Sequence, residues 1–178
     1  MELRPAEPSD ALDVARVHVR SWQAAYRGLL PADFLASLDP QRRARSYTFG
    51  EDSADSPFTV LAVRDGRPCG FATTGPARPP GQAGVGELYA IYVDPDDWGS
   101  GAGRVLIGAA RDRLGRLGFT EAVLWVLEGN ARAERFYRAD GWAPDGGRRV
   151  ERLGGAWQES GRVADPVVLP ELRYRRPL

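Results

Sequence analysis

The feature that most constrains the fold is a glycine-rich turn that joins a short apolar segment to an amphipathic one. The apolar segment, residues 87–93, has the pattern of a buried β-strand, and Asp94-Pro95 ends it. A helix is predicted to begin near Gly103, directly after the turn. The turn consists of Trp98, Gly99, Ser100, Gly101, Ala102, Gly103 and Arg104. Glycines let the backbone approach a ligand closely, and a helix N-terminus adds about half a positive charge. The turn therefore predicts a phosphate or diphosphate site, with Arg104 as an added cation.

Two other interpretations of this turn follow from the residues alone. Glycines also make tight turns that bind nothing, and that interpretation stays open at this point. A dinucleotide-binding fold would need the pattern GxGxxG, whose last glycine falls on Arg104. The pattern would also have to follow the first strand of the domain directly, which it does not. The dinucleotide interpretation is therefore rejected.

Hydrophobic spacing in the rest of the chain predicts a mixed α/β fold in which antiparallel hairpins precede a strand–helix–strand–helix order. Ser9 is expected to cap a helix that Gly28 ends, and Asp65-Gly66 is a hairpin signal. Predicted strands cover residues 3–4, 58–63, 69–74, 87–93, 122–127, 148–153 and 167–174. Predicted helices cover residues 9–28, 31–47, 103–117 and 131–139, and residues 75–81 are expected to form a loop. We expect residues 1–178 to form one domain, because 178 residues suit a single core.

The basic residues narrow the classes of function. The 24 basic residues are all arginine and balance 24 acidic ones, so the chain lacks the net positive charge of a nucleic-acid or anionic-membrane binder. The absence of lysine removes the phosphate-loop lysine, the kinase lysine and Schiff-base chemistry. Neither nucleic acid nor a membrane is expected as a partner.

The single cysteine and the single histidine narrow the classes further. Cys69 alone cannot form an intramolecular disulfide or a cysteine-rich zinc site, and His18 alone cannot form a multi-histidine metal centre. No metal is expected. A serine or cysteine nucleophile paired with His18 stays formally open, although the Gly-x-Ser-x-Gly pattern of serine hydrolases is missing. The acidic start MELRPAEPSD does not look like a signal peptide, so a cytoplasmic location is expected.

The turn resembles the acyl-CoA-binding signature of the Gcn5-related N-acetyltransferases, [Arg/Gln]-x-x-Gly-x-[Gly/Ala]. The chain departs from that pattern in the first position, where it has Trp98. The resemblance extends over nearly the whole chain. It includes Leu-Arg-Pro at residues 3–5, the helix end at residues 20–28, residues 130–137 and Gly141-Trp142. Several segments in register make the resemblance far more specific than the six-residue signature alone.

The resemblance implies a fold and a cosubstrate. The fold is a mixed, mostly antiparallel central sheet with a splayed parallel strand pair, flanked by helices. In it, the strand before the turn separates from its parallel neighbour, here residues 122–127, and the pantetheine arm of acetyl-CoA lies in the gap. Main-chain groups of Ile91, Tyr92 and Val93 are then expected to pair with that arm.

The resemblance also implies catalytic roles for two residues. Glu87 opens the strand where some family members have a catalytic glutamate, and it is expected to act as the base that deprotonates the acceptor amine. Tyr137 shares a helix face with Asn130 and Ala133 at spacings of 0, 3 and 7. We expect Tyr137 to donate a proton to the departing thiolate, and Asn130 to cap the helix and contact the pantetheine amides. Other family members use water chains or different carboxylates as the base.

The acceptor is expected to be a primary amine of a small molecule, in a pocket lined by Trp22, Tyr26, Tyr89 and Glu87. A protein or peptide amine is the alternative acceptor, and a long open groove would favour it. A non-catalytic acyl-CoA-binding regulatory module is the alternative of another class, because it needs the glycine turn but neither the base nor the acid. Homodimers are common in the resembled family, and the short C-terminal strands are candidates for pairing across a two-fold axis.

Overall fold

A seven-stranded sheet organises the chain in the computed structural model, which describes residues 1–49, 53, 55–78, 84–153 and 167–178. The strands are β1 (Glu2–Pro5), β2 (Phe58–Arg64), β3 (Arg67–Pro76), β4 (Val85–Val93), β5 (Glu121–Leu127), β6 (Ala143–Leu153) and β7 (Val167–Pro177). The helices are α1 (Ala11–Ala25), α2 (Ala32–Ala36), α3 (Pro40–Ala44), α4 (Ala102–Arg116) and α5 (Ala131–Ala139). The sheet order is β1-β2-β3-β4-β5-β7-β6, and only β4 and β5 run parallel. The predicted mixed, mostly antiparallel fold is confirmed.

Apolar side chains alternate between the two faces of the sheet and so bury both. Leu124 packs with Leu106 of α4 and with Tyr137 of α5 in one core cluster. On the opposite face, Leu127 packs with Trp22 of α1 in another cluster. The β4–β5 pair therefore lies between two helical layers. No helix in the described ranges is long and apolar enough to cross a membrane.

Several predicted boundaries are corrected by local chemistry. Ser9 lies within a short 3-10 turn, and Asp10 is the residue before α1; its carboxylate binds Arg4 in bidentate fashion at 2.7 Å. The predicted helix 31–47 is two short helices, because Asp39 accepts a hydrogen bond from the backbone of Arg42 and starts α3 afresh at Pro40. The predicted loop 75–81 begins later than expected, since β3 continues through residue 76. Residues 79–81 lie outside the described residues.

The parallel strands separate halfway along their length. The β4–β5 register runs from Val85–Glu121 to Leu88–Leu124 and ends there. Tyr89 is an extra residue in β4, since Thr73 pairs with Ala90 and Thr74 with Leu88. Such a bulge bends a strand and increases its twist. Beyond it, β4 continues along β3 while β5 continues along β7, so a wedge opens between β4 and β5.

Candidate functional site

A cavity of about 740 Å³ occupies this wedge. Its walls come from the separated halves of β4 and β5, the turn before α4, the start of α5 and the end of α1. The predicted site residues that line it are Tyr26, Tyr89, Ile91, Tyr92, Val93, Trp98, Gly99, Ser100, Gly101, Gly103, Arg104, Asn130 and Tyr137. One cavity thus joins the glycine turn to aromatic side chains at the far end.

The glycine turn presents backbone N–H groups to this cavity. Gly99 and Gly101 have φ values of +84° and +93°, a left-handed conformation that favours glycine. In the described residues, no backbone partner is recorded for the amides of Gly99, Gly101, Gly103 and Arg104. Four open donors at the N-terminus of a 15-residue helix fit a diphosphate group. The prediction made from the glycine spacing therefore has the geometry it requires.

Ala102 is the one residue of the turn that differs from the prediction. Its side chain is buried in the core, and its amide is bound to Ser100 Oγ at 3.3 Å. It does not line the cavity. Ala102 therefore anchors the helix, while its neighbours offer the open amides.

Trp98 takes a structural role in place of the polar side chain that the resembled signature has in its first position. Its indole Nε1 donates to the carbonyl oxygen of Val93 at 2.9 Å. The hydroxyl of Ser21 donates to the same oxygen at 2.8 Å. Trp98 and α1 therefore hold the end of β4 in place, next to the turn.

The end of β4 offers only some of its backbone groups to the cavity. The N–H of Asp94 donates to β3, and a Cβ at Gly70 of β3 would lie 2.9 Å from the carbonyl oxygen of Tyr92. Because strand residues alternate, the backbone groups of Tyr92 face β3, and those of Ile91 and Val93 face the wedge. The Val93 carbonyl already accepts two hydrogen bonds. The groups that remain available to a ligand in the wedge are therefore the N–H and C=O of Ile91 and the N–H of Val93. The main chain of Tyr92 thus faces β3, whereas the sequence predicts that it pairs with the arm of the cosubstrate; Tyr92 is nevertheless among the residues that line the cavity.

The first turn of α5 supplies a helix cap and a phenol. Asn130 is buried, and its side chain accepts a hydrogen bond from the amide of Ala133 at 3.2 Å, as the sequence predicts for a cap. Tyr137, two turns later on the same face, is 8% exposed and lines the cavity. Burial raises the pKa of Tyr137 well above its ordinary value, so the phenol stays protonated at neutral pH. It can donate a proton but cannot act as a base there.

Aromatic side chains form the far end of the cavity. Tyr26, Tyr89 and Trp125 line it, and the sequence analysis missed Trp125. Trp22 does not line it. Trp22 is 6% exposed and packs edge-on against the ring of Tyr26, with 5.0 Å between ring centroids. The pair illustrates how helical spacing identifies a buried face but does not distinguish a core residue from a cavity residue.

Glu87 is engaged by an arginine and lies outside the cavity lining. Its side chain is 1% exposed. The Arg78 backbone N–H donates to Oε2 at 2.9 Å, while Nε and Nη2 of Arg78 lie 3.1 and 2.5 Å from Oε1. Both carboxylate oxygens are therefore occupied, and the Arg78 guanidinium also lies over the ring of Tyr89. This arrangement fits a residue that fixes the edge of the site better than one that exchanges protons with a substrate.

Glu171 of β7 is a second carboxylate on this side of the sheet; it does not itself line the cavity, and no local sequence pattern identifies it. It pairs across the sheet with Leu127, which lines the cavity. Its Oε2 accepts a hydrogen bond from Arg149 Nε at 2.6 Å, and the Arg149 guanidinium lies over the ring of Trp125. Burial raises the pKa of Glu171 above its ordinary value, although Arg149 opposes the shift. Its charge also acts on the buried phenols of Tyr26 and Tyr137.

His18 and Cys69 are core residues. His18 stacks on Tyr92 at 4.6 Å, and its Nδ1 lies 2.6 Å from the Tyr47 hydroxyl. Burial and the nearby Arg43 hold the pKa of His18 well below its usual range, so its ring is neutral. The Cys69 thiol faces the carbonyl of Ala62 at 3.4 Å. Neither residue lines the cavity, and the described residues contain no group of three or more side chains placed to hold a metal ion.

The comparison with known families decides between the interpretations that the turn left open. The model of the acetyltransferase (GNAT) family matches residues 19–142, which include the turn, the wedge and Tyr137. The chain belongs to the GNAT family. It is therefore an acyltransferase, and acetyl-CoA is the cosubstrate of its family. A turn that binds nothing and a hydrolase based on His18 are both set aside.

Individual relatives agree with this assignment. The uncharacterized N-acetyltransferase YuaI of Bacillus subtilis (strain 168) is 33% identical over 170 residues, which cover 88% of this chain and 92% of that one. A mycothiol acetyltransferase of Geodermatophilus obscurus is 40% identical over 67 residues, which cover 36% of this chain and 22% of that one. The PaiA N-acetyltransferase of Thermoplasma acidophilum, solved in complex with coenzyme A, shares the fold with a TM-score of 0.69 at 19% identity, covering 99% and 98% of the two chains.

Proposed function

We propose that this chain transfers the acetyl group of acetyl-CoA directly to the primary amine of a small molecule, with both substrates bound at once. The observation that carries the proposal is the continuous cavity, which has anion-binding amides at one end and aromatic side chains at the other. Acetyl-CoA supplies the acetyl group as a thioester. Direct transfer is supported because the chain's one thiol, Cys69, faces the core.

The wedge supports binding of an extended, amide-bearing arm. The backbone N–H and C=O of Ile91 face it and have the spacing of a strand edge, which an added extended segment can pair with. Asn130 lies across the gap from that edge. The N–H groups of Ile91 and Val93 also suit a developing negative charge on the thioester oxygen.

Removing a proton from the acceptor is the costly step before attack. An alkyl ammonium of pKa about 10.4 must lose a proton at pH 7, which costs about 4.6 kcal/mol. The sequence predicts Glu87 as the base, but its two oxygens are taken by Arg78. Glu171, like Glu87, lies outside the cavity lining, but it is the better candidate, because burial raises its pKa and Arg149 binds only its Oε2. We assign the base role to Glu171 and a positioning role to Glu87.

Tyr137 completes the proton transfers. The acceptor nitrogen loses two protons in all as the C–N bond forms and the C–S bond breaks. One proton leaves through Glu171, and the other replaces the proton that Tyr137 gives to sulfur. A phenol kept neutral by burial is suited to this donation.

A small acceptor is favoured over a peptide by the aromatic lining at the far end of the cavity. Tyr26, Tyr89 and Trp125 offer aromatic rings as contact surface, whereas an extended peptide needs backbone partners along its length. The similarity to mycothiol acetyltransferases is in keeping with a small acceptor. A protein or peptide amine stays the second candidate acceptor.

An amine screen tests the proposal. The purified chain is incubated with acetyl-CoA and a panel of small and peptide amines, and free thiol is titrated. Because the chain has no lysine, acetylation of its own lysine side chains cannot consume the reagent. Turnover with a small amine is the expected result. Tight coenzyme A binding without turnover on any amine would instead indicate a regulatory acyl-CoA-binding module, and failure to bind coenzyme A would overturn the proposal entirely.

A further inference from the structure

Three arginines line the glycine-turn end of the cavity. Arg104 is in the first turn of α4, and Arg132 and Arg135 are on one face of α5. Within the described ranges, no carboxylate forms an ion pair with any of the three. Neighbouring cations differ in this respect, since Arg20 binds Asp94 and Asp96. What Arg104, Arg132 and Arg135 share is their place, since all three line the mouth of one cavity.

Arg132 is held in a fixed orientation. Its guanidinium lies 3.6 Å from the centroid of the Trp98 ring, a close cation–π contact. The Trp98 ring is in turn fixed by its hydrogen bond to the Val93 carbonyl. A guanidinium held over an aromatic ring can still bind an oxyanion in bidentate fashion through its N–H groups.

Arg132 and Arg135 also repel one another. They are three residues apart on the exposed face of α5, and burial and, after it, the charge of Arg135 lower the pKa of Arg132. An anion between them would relieve that repulsion. The backbone amides of the turn already provide donors for a diphosphate, so the arginines add capacity for a further anionic group.

We infer that Arg132 and Arg135, with Arg104 beside them, form a subsite for a phosphate monoester. This subsite binds the 3′-phosphate of coenzyme A. The inference rests on the proposed function, since it takes coenzyme A as the ligand of the wedge. It goes further by assigning cosubstrate selectivity to side chains outside the glycine signature. Trp98, which replaces the usual Arg or Gln in the first position of that signature, contributes to this selectivity because it holds Arg132 in place.

Calorimetry with coenzyme A and with 3′-dephospho-coenzyme A tests the subsite, because the two ligands differ only in the monoester. The wild-type chain is expected to bind coenzyme A at least about tenfold more tightly, the effect of a charge-assisted contact. The double variant R132A/R135A is expected to lose this preference and to bind dephospho-coenzyme A as the wild type does. That unchanged affinity also shows that the variant is folded.

Matched variants distinguish specific binding of the monoester from a nonspecific effect of removing positive charge. Arg116→Ala removes an exposed arginine from the other end of α4 and should keep the full preference. R132K/R135K should keep part of it. The preference should also weaken below about pH 6, where a phosphate monoester takes up its second proton. Equal wild-type affinities for the two ligands, or a preference that survives in R132A/R135A, would overturn the inference. Failure of the wild type to bind either ligand would instead overturn the proposed function.

Discussion

The two ends of the cavity are built in different ways. The cosubstrate end is made of consecutive residues, 98–104, several of whose backbone amides are open, with arginines beside them that form no ion pair within the described part of the chain. The acceptor end is made of residues from α1, β4 and β5, and the two carboxylates nearby, Glu87 and Glu171, lie outside the lining and are paired with arginines. The first end offers open backbone amides and positive charge, and the second offers aromatic rings. The difference indicates that binding of the cosubstrate and choice of the acceptor are encoded separately in this fold.

Tyr137 lies where the two ends meet, so its removal should affect chemistry and leave cosubstrate binding intact. Tyr137→Phe keeps the ring that packs against Phe136 and Tyr174 but removes the proton donor. We expect kcat to fall by about 10²–10⁴-fold while the Kd for coenzyme A is unchanged, measured by steady-state kinetics and calorimetry. Equal losses in kcat and in coenzyme A affinity would contradict the division between the two ends.

The two carboxylates of the acceptor end provide the next comparison. Glu171→Gln should lower kcat/KM by about 100-fold at neutral pH. In the wild type, activity should fall as the pH drops through the raised pKa of Glu171, because the base must be ionised. The pH profile of the Glu171→Gln variant should lack this acidic limb.

Glu87→Gln serves as the matched change in the same comparison. It removes the charge that holds Arg78, so it should lower the melting temperature by a few degrees and activity only modestly. The assignment is refuted if Glu87→Gln abolishes the pH limb and Glu171→Gln retains it.

The smallest effect is expected from the backbone of the glycine turn. Gly101→Ala forces an alanine into a φ of +93°, which costs about 1–2 kcal/mol, or roughly tenfold in coenzyme A affinity if the turn relaxes to avoid it. Gly108→Ala is the control, because it lies within α4 at a negative φ with open space around its Cβ, and it should slightly stabilise the chain. If calorimetry shows equal affinities for the two variants, the conformation of the turn does not matter for binding.

The contrast between the ends also explains what could be predicted from the sequence. The turn is local, so its glycines and the helix start after it are visible in the sequence, and the cap at Asn130 and the glycine at 141 predict α5 at residues 131–139. Glu171 and Trp125 could not be found this way. They meet only because β7 pairs with β5 in one register, which depends on long-range packing rather than on local sequence. The bulge at Tyr89, which opens the wedge, is not predicted by any sequence pattern around Tyr89. The one related feature is Gly75 on the neighbouring strand, where a Cβ would lie 2.6 Å from the Tyr89 hydroxyl.

The central claim is that the amides of the turn hold the diphosphate of the cosubstrate, and an NMR titration with coenzyme A tests it most directly. The backbone amide resonances of Gly99, Gly101, Gly103 and Arg104 should show the largest shifts on binding, while the amide of Val105, already bonded to Gly101, should shift less. Saturable binding of coenzyme A that leaves those four resonances unchanged would contradict the account.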